Sequence, residues 1–189
     1  MQSNSDRQAY QEKKAKKVIT PIHTGGLISI HSENYPTDLG IVHTDIVVHP
    51  GAVAIIPVNE KGEILLIKQW RRAVKEILIE IPAGTLEEGE ETLECAHREL
   101  QEETGFKAST MIYLGMLYTC PGFCTEKIYL YLGKDLTVSS LPCDDTEAID
   151  LCPMTLEEAL SKVDSGEIPD AKTISALCLY VRWLQKEKK

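Results

Sequence analysis

Residues 84–106 read GTLEEGEETLECAHRELQEETGF, and Glu87, Glu88, Glu90, Glu91, Glu94, Glu99, Glu102 and Glu103 crowd into this one stretch. The spacing predicts a helix between Thr92 and Glu103, with Thr92 as a candidate N-cap and Gly105 as a candidate left-handed stop. At about 100° per residue, Glu99 and Glu103 lie about 40° apart with Glu102 on their flank. Leu93, Ala96 and Leu100 form an apolar stripe beside them. A solvated acidic face accounts for the composition but not for the placement. Like-charged neighbours at i,i+4 destabilise a helix, and Glu102 and Glu103 fall at the helix end where the dipole disfavours negative charge. A divalent cation bound across the cluster reverses both penalties. Oxygen ligands of this kind suit Mg²⁺ or Mn²⁺, which keep water and phosphate oxygens as further ligands.

Upstream of this turn the text is strand-like from Val18. Gly26–Ser32 and Ile41–Val48 are short β-branched segments separated by Asn34, Pro36 and Gly40, and Ala52–Val58 reads as a buried strand. Asn59-Glu-Lys-Gly62 predicts a hairpin turn into Glu63–Trp70, and Lys75–Pro82 alternates as another strand. Downstream, strands are expected at Met111–Thr119, Lys127–Leu132 and Glu147–Met154. Thr155-Leu-Glu-Glu158 is a capping box for a helix running to about Asp164 and stopped at Gly166, and Asp170 caps a last helix. Strands, helix, strands and two helices make a mixed α/β (α+β) domain rather than a βαβ alternation.

The whole chain sets the outer bounds. It has 189 residues, 43% of them hydrophobic, with 20 Lys and Arg against 29 Asp and Glu, a net charge of −9. That fits one globular domain with an extra N-terminal element and argues against disorder. The net charge disfavours nucleic acid as a partner, and an anionic small substrate then requires a cation between it and the protein. The longest apolar runs, such as Gly51–Val58, fall far short of the roughly 20 residues of a membrane span. Residues 1–17 are polar and lysine-rich with no apolar signal core, which predicts a solvated or frayed lead-in and a cytoplasmic protein. The six cysteines form no Cys-x-x-Cys pair and are expected as free thiols. The five histidines form no i,i+4 pair that would suggest a histidine metal site. Trp70 either closes its strand as core or stacks on a base, and Tyr35 is a similar candidate.

Residues 84–106 resemble the Nudix signature, G-x5-E-x7-R-E-U-x-E-E-x-G-U with U bulky and apolar, at every position. The matches are Gly84, Glu90, Arg98, Glu99, Leu100, Glu102, Glu103, Gly105 and Phe106. From His49 onward the chain is similar to the ADP-ribose pyrophosphatase and nucleoside diphosphate sugar hydrolase branch. Lys68-Gln-Trp-Arg71, Ile81-Pro-Ala-Gly84, Pro121 in Cys120-Pro-Gly-Phe-Cys-Thr-Glu126, and Asp170-Ala-Lys-Thr carry that likeness. The resemblance implies a Nudix fold, a mixed sheet sandwiched between helices with an N-terminal antiparallel β extension. It divides the chain into a tail with dimerisation strands over 1–48 and a hydrolase domain over 49–189. It implies metal-dependent cleavage of the pyrophosphate of ADP-ribose or a related nucleoside diphosphate sugar, and a homodimer with exchanged N-terminal strands.

By the same resemblance, Glu99 and Glu103 would ligate Mg²⁺ (or Mn²⁺) with the Ala83 carbonyl, and Glu102 would stand beside them as a catalytic group. Arg98 would be structural, holding the glutamates through Glu90, with Gly84 and Gly105 shaping the turn. Arg71 and Glu80 would contact substrate, and Glu126 would reach the substrate of the other subunit. Glu147 best fits the branch's catalytic carboxylate, with Asp144 and Asp145 close enough to compete. Thr44 stands where the branch often carries an arginine, and Cys120 where it carries a serine. Both departures lie on the substrate side, so they leave open another nucleoside diphosphate-X. A zinc-binding cysteine set before the box is missing, which speaks against the NADH pyrophosphatase type. A non-catalytic Nudix binding module would be expected to have lost metal carboxylates that this chain retains.

Overall fold

A computed structural model describes residues 4–38, 40–142 and 148–187. The chain divides into two compact units, one of residues 1–50 with 120–126 and one of residues 51–119 with 127–189.

The first unit opens with helix α1 (Asn4–Lys14), where polar composition alone suggests a frayed lead-in. Local pairing explains the difference. Gln8 donates to Glu12 (2.8 Å) and Lys14 to the Tyr10 hydroxyl (2.7 Å), both at i,i+4, and Asp6 and Lys13 sit at the helix ends that suit their charges. Strands β1 (Val18–Thr24), β2 (Ser29–Thr37) and β3 (Gly40–Val48) follow as an antiparallel sheet in that order. Asn34 and Pro36, read from sequence as separators, lie inside β2; Pro36 stands opposite Ile41, one step from the strand's end. Residues 120–126 join this unit: the Val47 N–H donates to the Phe123 carbonyl (2.7 Å) and the Thr125 N–H to the Val47 carbonyl (2.9 Å). Within the sheet, the buried Glu33 accepts from Lys17 at 3.0 and 3.1 Å and from the Tyr35 hydroxyl, and contacts His31 Nε2 at 2.9 Å. Burial works against the Glu33 charge, but those partners hold its carboxyl below the usual range, while the carboxylate pushes Tyr35 up to about 12.

The second unit holds strands β4 (Ala52–Pro57), β5 (Ile64–Arg71), β6 (Glu76–Glu80) and β7 (Ala83–Thr85), then helix α2 (Thr92–Thr104). Strands β8 (Phe106–Tyr118), β9 (Lys127–Val138) and β10 (Ile149–Met154) and helices α3 (Leu156–Asp164) and α4 (Ala171–Glu187) complete it. One sheet runs β7-β4-β9-β8 with a single parallel pair, β4–β9; the other runs β10-β5-β6, all antiparallel. Residues 59–62 make the predicted turn, with the Gly62 N–H donating to the Asn59 carbonyl (2.9 Å) and the Asn59 N–H to the Glu63 carbonyl (3.0 Å), but β4 and β5 do not continue as a paired hairpin. The Asn59 Oδ1 accepts from the Lys61 and Glu63 N–H groups (3.0 and 2.9 Å), and one bridge, Val58–Ile64, is made before the chain passes to the other sheet.

β4 is apolar at nearly every position because both of its faces are covered. Val53 and Ile55 pack with Cys95 and Ala96 of α2; Ala54 and Ile56 pack with Leu130, Leu132, and Ala176 and Leu177 of α4. Each such fully buried Ile or Leu contributes about 1.5–3 kcal/mol. α3 carries its capping box, with Thr155 accepting from the Glu158 N–H and Glu158 from the Thr155 N–H (2.8 Å). Asp170 caps α4 by accepting from the Thr173 N–H at 2.9 Å. Among the described residues no helix is long and apolar enough to cross a membrane.

Candidate active site

Helix α2 turns two parallel rows inward, Cys95–Glu99–Glu103 and Ala96–Leu100–Thr104, and all six residues are buried. Leu93, predicted to extend the apolar stripe, is 46% exposed and belongs to none of the core clusters. It projects near Leu100 on the helix but lies two turns earlier. Thr92 is the first helical residue rather than the cap. Glu91 takes the capping position without a side-chain bond, and the Thr92 hydroxyl meets the Tyr131 hydroxyl at 2.6 Å. At the other end Gly105 has φ 75° and its N–H donates to the Gln101 carbonyl at 3.0 Å, the left-handed stop the sequence predicts.

Two buried carboxylates of α2 reach the same point of backbone, the start of β7. Glu103 Oε2 accepts from the Ala83 N–H at 2.8 Å. The Glu99 carboxylate lies so close over Gly84 that a Cβ there would sit 1.9–2.2 Å from its atoms. Arg98 binds the cluster from the side. Its Nε and Nη2 grip Glu90 bidentately (2.9 Å each), and its Nη1 donates to Glu99 (2.6 Å) and Glu102 (3.1 Å). Nη2 also donates to the Thr85 carbonyl and to Cys95 Sγ, both at 3.2 Å. The Arg98 guanidinium holds Glu90 well below the usual carboxylate range, at about 2, and is itself pushed up by that same bond. Burial pushes the Cys95 thiol up.

Glu90, Glu99, Glu102 and Glu103 set four carboxylates against one guanidinium, an excess of three negative charges at full ionisation. Among the described residues no three His, Cys, Asp or Glu side chains form a ready cation cage. That donor set fits Mg²⁺ or Mn²⁺ all the same, since such ions take one or two protein carboxylates and complete their shell with water and phosphate oxygens. Glu99 and Glu103, together at the Ala83–Gly84 step, are the residues that could hold one.

Three residues before Ala83, Glu80 closes β6. It is 1% exposed, and Arg71 of β5 grips it with Nε at 2.8 Å and Nη2 at 2.6 Å. Lys172 of α4 binds the same Glu80 Oε2 and lies 3.1 Å from Asp170 Oδ2. Burial works to raise the Glu80 pKa, but Arg71 and Lys172 outweigh it and hold the carboxyl below its usual range. Arg71 also feels the charges of Glu103 and Asp170, so the two clusters share one electrostatic neighbourhood. Gln69, on the same β5 face as Arg71, is buried with Oε1 unpartnered among the described residues.

The structure thus brings Arg71, Glu80, Ala83, Gly84, Glu90, Arg98, Glu99, Glu102, Glu103 and Gly105 into one unit. Glu126 belongs to the first unit, where its Oε1 lies 3.7 Å from His49 Nε2. Glu147, Asp144 and Asp145 lie outside the described residues. Trp70 is half exposed and so is not core, and the Tyr35 hydroxyl is committed to Glu33. Sequence reasoning gave no role to Lys172. Its signal is a lysine in the first turn of a capped helix, where the dipole disfavours positive charge unless an outside carboxylate compensates.

The NUDIX domain family matches residues 48–177. The chain is 39% identical over 159 residues to the ADP-ribose pyrophosphatase of Bacillus subtilis, covering 82% of this chain and 86% of that protein. It is 40% identical over 146 residues to the methanol dehydrogenase activator of Bacillus methanolicus, covering 76% and 77%. The crystal structure of an ADP compounds hydrolase superposes with a TM-score of 0.79 at 24% identity, covering 91% of this chain and 96% of that one, a likeness of fold.

Proposed function

The chain belongs to the NUDIX family, and we propose that it hydrolyses the pyrophosphate bond of ADP-ribose, or of a related nucleoside diphosphate sugar, to a nucleoside monophosphate and a sugar phosphate. The observation that carries this reading is the convergence of Glu99 and Glu103 on the Ala83–Gly84 backbone, three residues from the Arg71–Glu80 pair. Along an extended chain that separation is about 10 Å, so one small anionic substrate can meet an acidic, metal-attracting end and a guanidinium together.

Glu99, Glu103 and the Ala83 carbonyl would hold Mg²⁺ or Mn²⁺, which when bound would neutralise charge on the diphosphate and make a water more acidic. Arg98 keeps Glu99 and Glu102 in place and lowers the repulsion among the glutamates. Arg71, oriented by Glu80, binds the substrate's anionic part. A carboxylate, Glu147 or Glu102, accepts the proton of the attacking water as the new O–P bond forms and the bridging P–O bond breaks, with the electron pair leaving on the departing phosphate. Residues 1–48 serve as a dimerisation element, and Glu126 reaches the substrate held by the other subunit.

The test is phosphate release, through a coupled phosphatase, from a panel of nucleoside diphosphate sugars with Mg²⁺, with Mn²⁺ and with chelator. Hydrolysis of ADP-ribose that disappears with chelator is expected. Thr44 and Cys120 support a second reading, in which another nucleoside diphosphate-X is preferred; the same panel ranks it. Substrate binding without release from any compound would overturn both in favour of a binding module.

A further inference from the structure

A buried carboxylate needs a counter-charge, and Glu80 has two. Arg71 supplies a bidentate grip through Nε and Nη2. Lys172, whose side chain is only 12% exposed, supplies a second contact to Oε2. Lys172 divides its charge between Glu80 and Asp170, whose Oδ2 lies 3.1 Å away, whereas Arg71 is hydrogen-bonded to Glu80 alone among the described residues.

The Arg71 side chain is 35% exposed, and its Nη1 has no hydrogen bond among the described residues. Glu80 therefore occupies one edge of the guanidinium and leaves the other open. An anion arriving at that edge competes with Glu80 for the charge of Arg71. If Arg71 were the only counter-ion, the buried Glu80 would resist that sharing, because an uncompensated charge would be left behind. Lys172 removes the conflict. It is fixed in turn by Asp170, which accepts from the Thr173 N–H (2.9 Å) and hydroxyl (2.6 Å), and the Thr173 hydroxyl oxygen accepts from the Ile81 N–H at 3.0 Å. The first turn of α4 is thereby anchored to the residue that follows Glu80.

We propose that Lys172 is a positioning residue for substrate binding: as the standing counter-ion of Glu80, it lets Glu80 hold one edge of Arg71 while the other edge binds the anionic nucleoside diphosphate sugar. This rests on the reading that Arg71 contacts substrate. Lys172 acts through Glu80 and Arg71 and touches no reacting atom, so its loss raises KM and Kd and leaves kcat nearly alone.

The test uses full-length protein and ADP-ribose, with turnover measured in Mg²⁺ and equilibrium binding measured by calorimetry in chelator. Lys172→Met is expected to raise KM and the metal-free Kd by about 10-fold with kcat within about 3-fold. Lys172→Arg, which keeps the charge, is expected to restore both to within about 3-fold of the parent. In an Arg71→Ala background, Lys172→Met is expected to change Kd by less than about 2-fold, since its route to substrate is gone. Should Lys172→Met fail to fold, Glu80→Gln and the double variant Glu80→Gln/Lys172→Met are compared instead, and equal KM values are expected. An unchanged KM and Kd in Lys172→Met, an undiminished effect in the Arg71→Ala background, or an added effect on Glu80→Gln would each overturn the proposal while the parent enzyme stays active. Absence of both binding and turnover in the parent protein would overturn the substrate reading itself and this inference with it.

Discussion

At the scale of single residues, Gly84 and Glu103 separate shape from charge at the same spot. A Cβ at Gly84 would lie 1.9–2.2 Å from the Glu99 carboxylate, which is 8% exposed and tied to Arg98. Gly84→Ala must therefore push that carboxylate off the turn. Turnover is expected to fall by about 100-fold or more, with about 1–3 kcal/mol of overpacking cost. Glu103→Gln keeps an oxygen to accept from the Ala83 N–H and removes one charge from a crowded acidic face. Its turnover is expected to fall as far while its melting temperature holds or rises, because a like-charge repulsion is relieved. Steady-state rates beside thermal unfolding curves distinguish the two variants. Collapse of the fold in Glu103→Gln would make Glu103 a structural residue rather than a metal ligand.

At the scale of elements, the loop before α2 and the helix itself are joined by Glu90 and Arg98. Glu90 is depressed to about 2 in the folded protein against an ordinary value near 4.5, chiefly by the Arg98 bond. A lowered folded pKa contributes stability that is fully present above the unfolded pKa and is lost as pH falls through the folded one. The melting-temperature gap between the parent protein and Glu90→Gln is expected to be widest above about pH 4.5 and to close towards pH 2. A gap independent of pH over that range would mean that Glu90 acts by packing alone. The turn around α2 was legible in the sequence because its logic is local: Glu99 and Glu103 are one helical turn apart, and Gly105 follows where the helix must end. The partnership of Lys172 with Glu80 spans 92 residues and has no periodicity to betray it. Pairing across such distances also decided what was misread. The partners of β4 are β7 and β9 rather than β5, so a turn that looks like a hairpin at Asn59–Gly62 joins two different sheets. Thr92 resembles a cap by type, but its hydroxyl is taken by Tyr131 from a strand 39 residues away.

At the scale of the whole molecule, the three-stranded sheet of the first unit leaves apolar side chains in the open. Every residue of β1 is exposed, and β1 is an edge strand with β2 on one side only. Val18, Ile19, Ile22, Ile41 and Val42 are all exposed on this one small sheet. An apolar edge of that kind is a template for pairing with another chain unless something covers it. A second copy of the same strands is the partner that the proposed homodimer, implied by the family resemblance, would place there. The parent protein is then expected to sediment near twice its 21.1 kDa. Ile22→Lys with Ile41→Lys places two charges where the isolated chain is already open to water, so each folded chain loses little stability while pairing is opposed. The double variant is expected to sediment as one chain, and a parent protein that runs as one chain at every concentration would refute the arrangement. Activity supplies a second reading of the same variant. If Glu126 completes the substrate site of the other subunit, separating the chains must lower kcat/KM, by about 10-fold or more for a lost charged contact, even though every Nudix-box glutamate is untouched. A monomeric double variant with full activity would place Glu126 outside catalysis and leave the sheet as an assembly device alone.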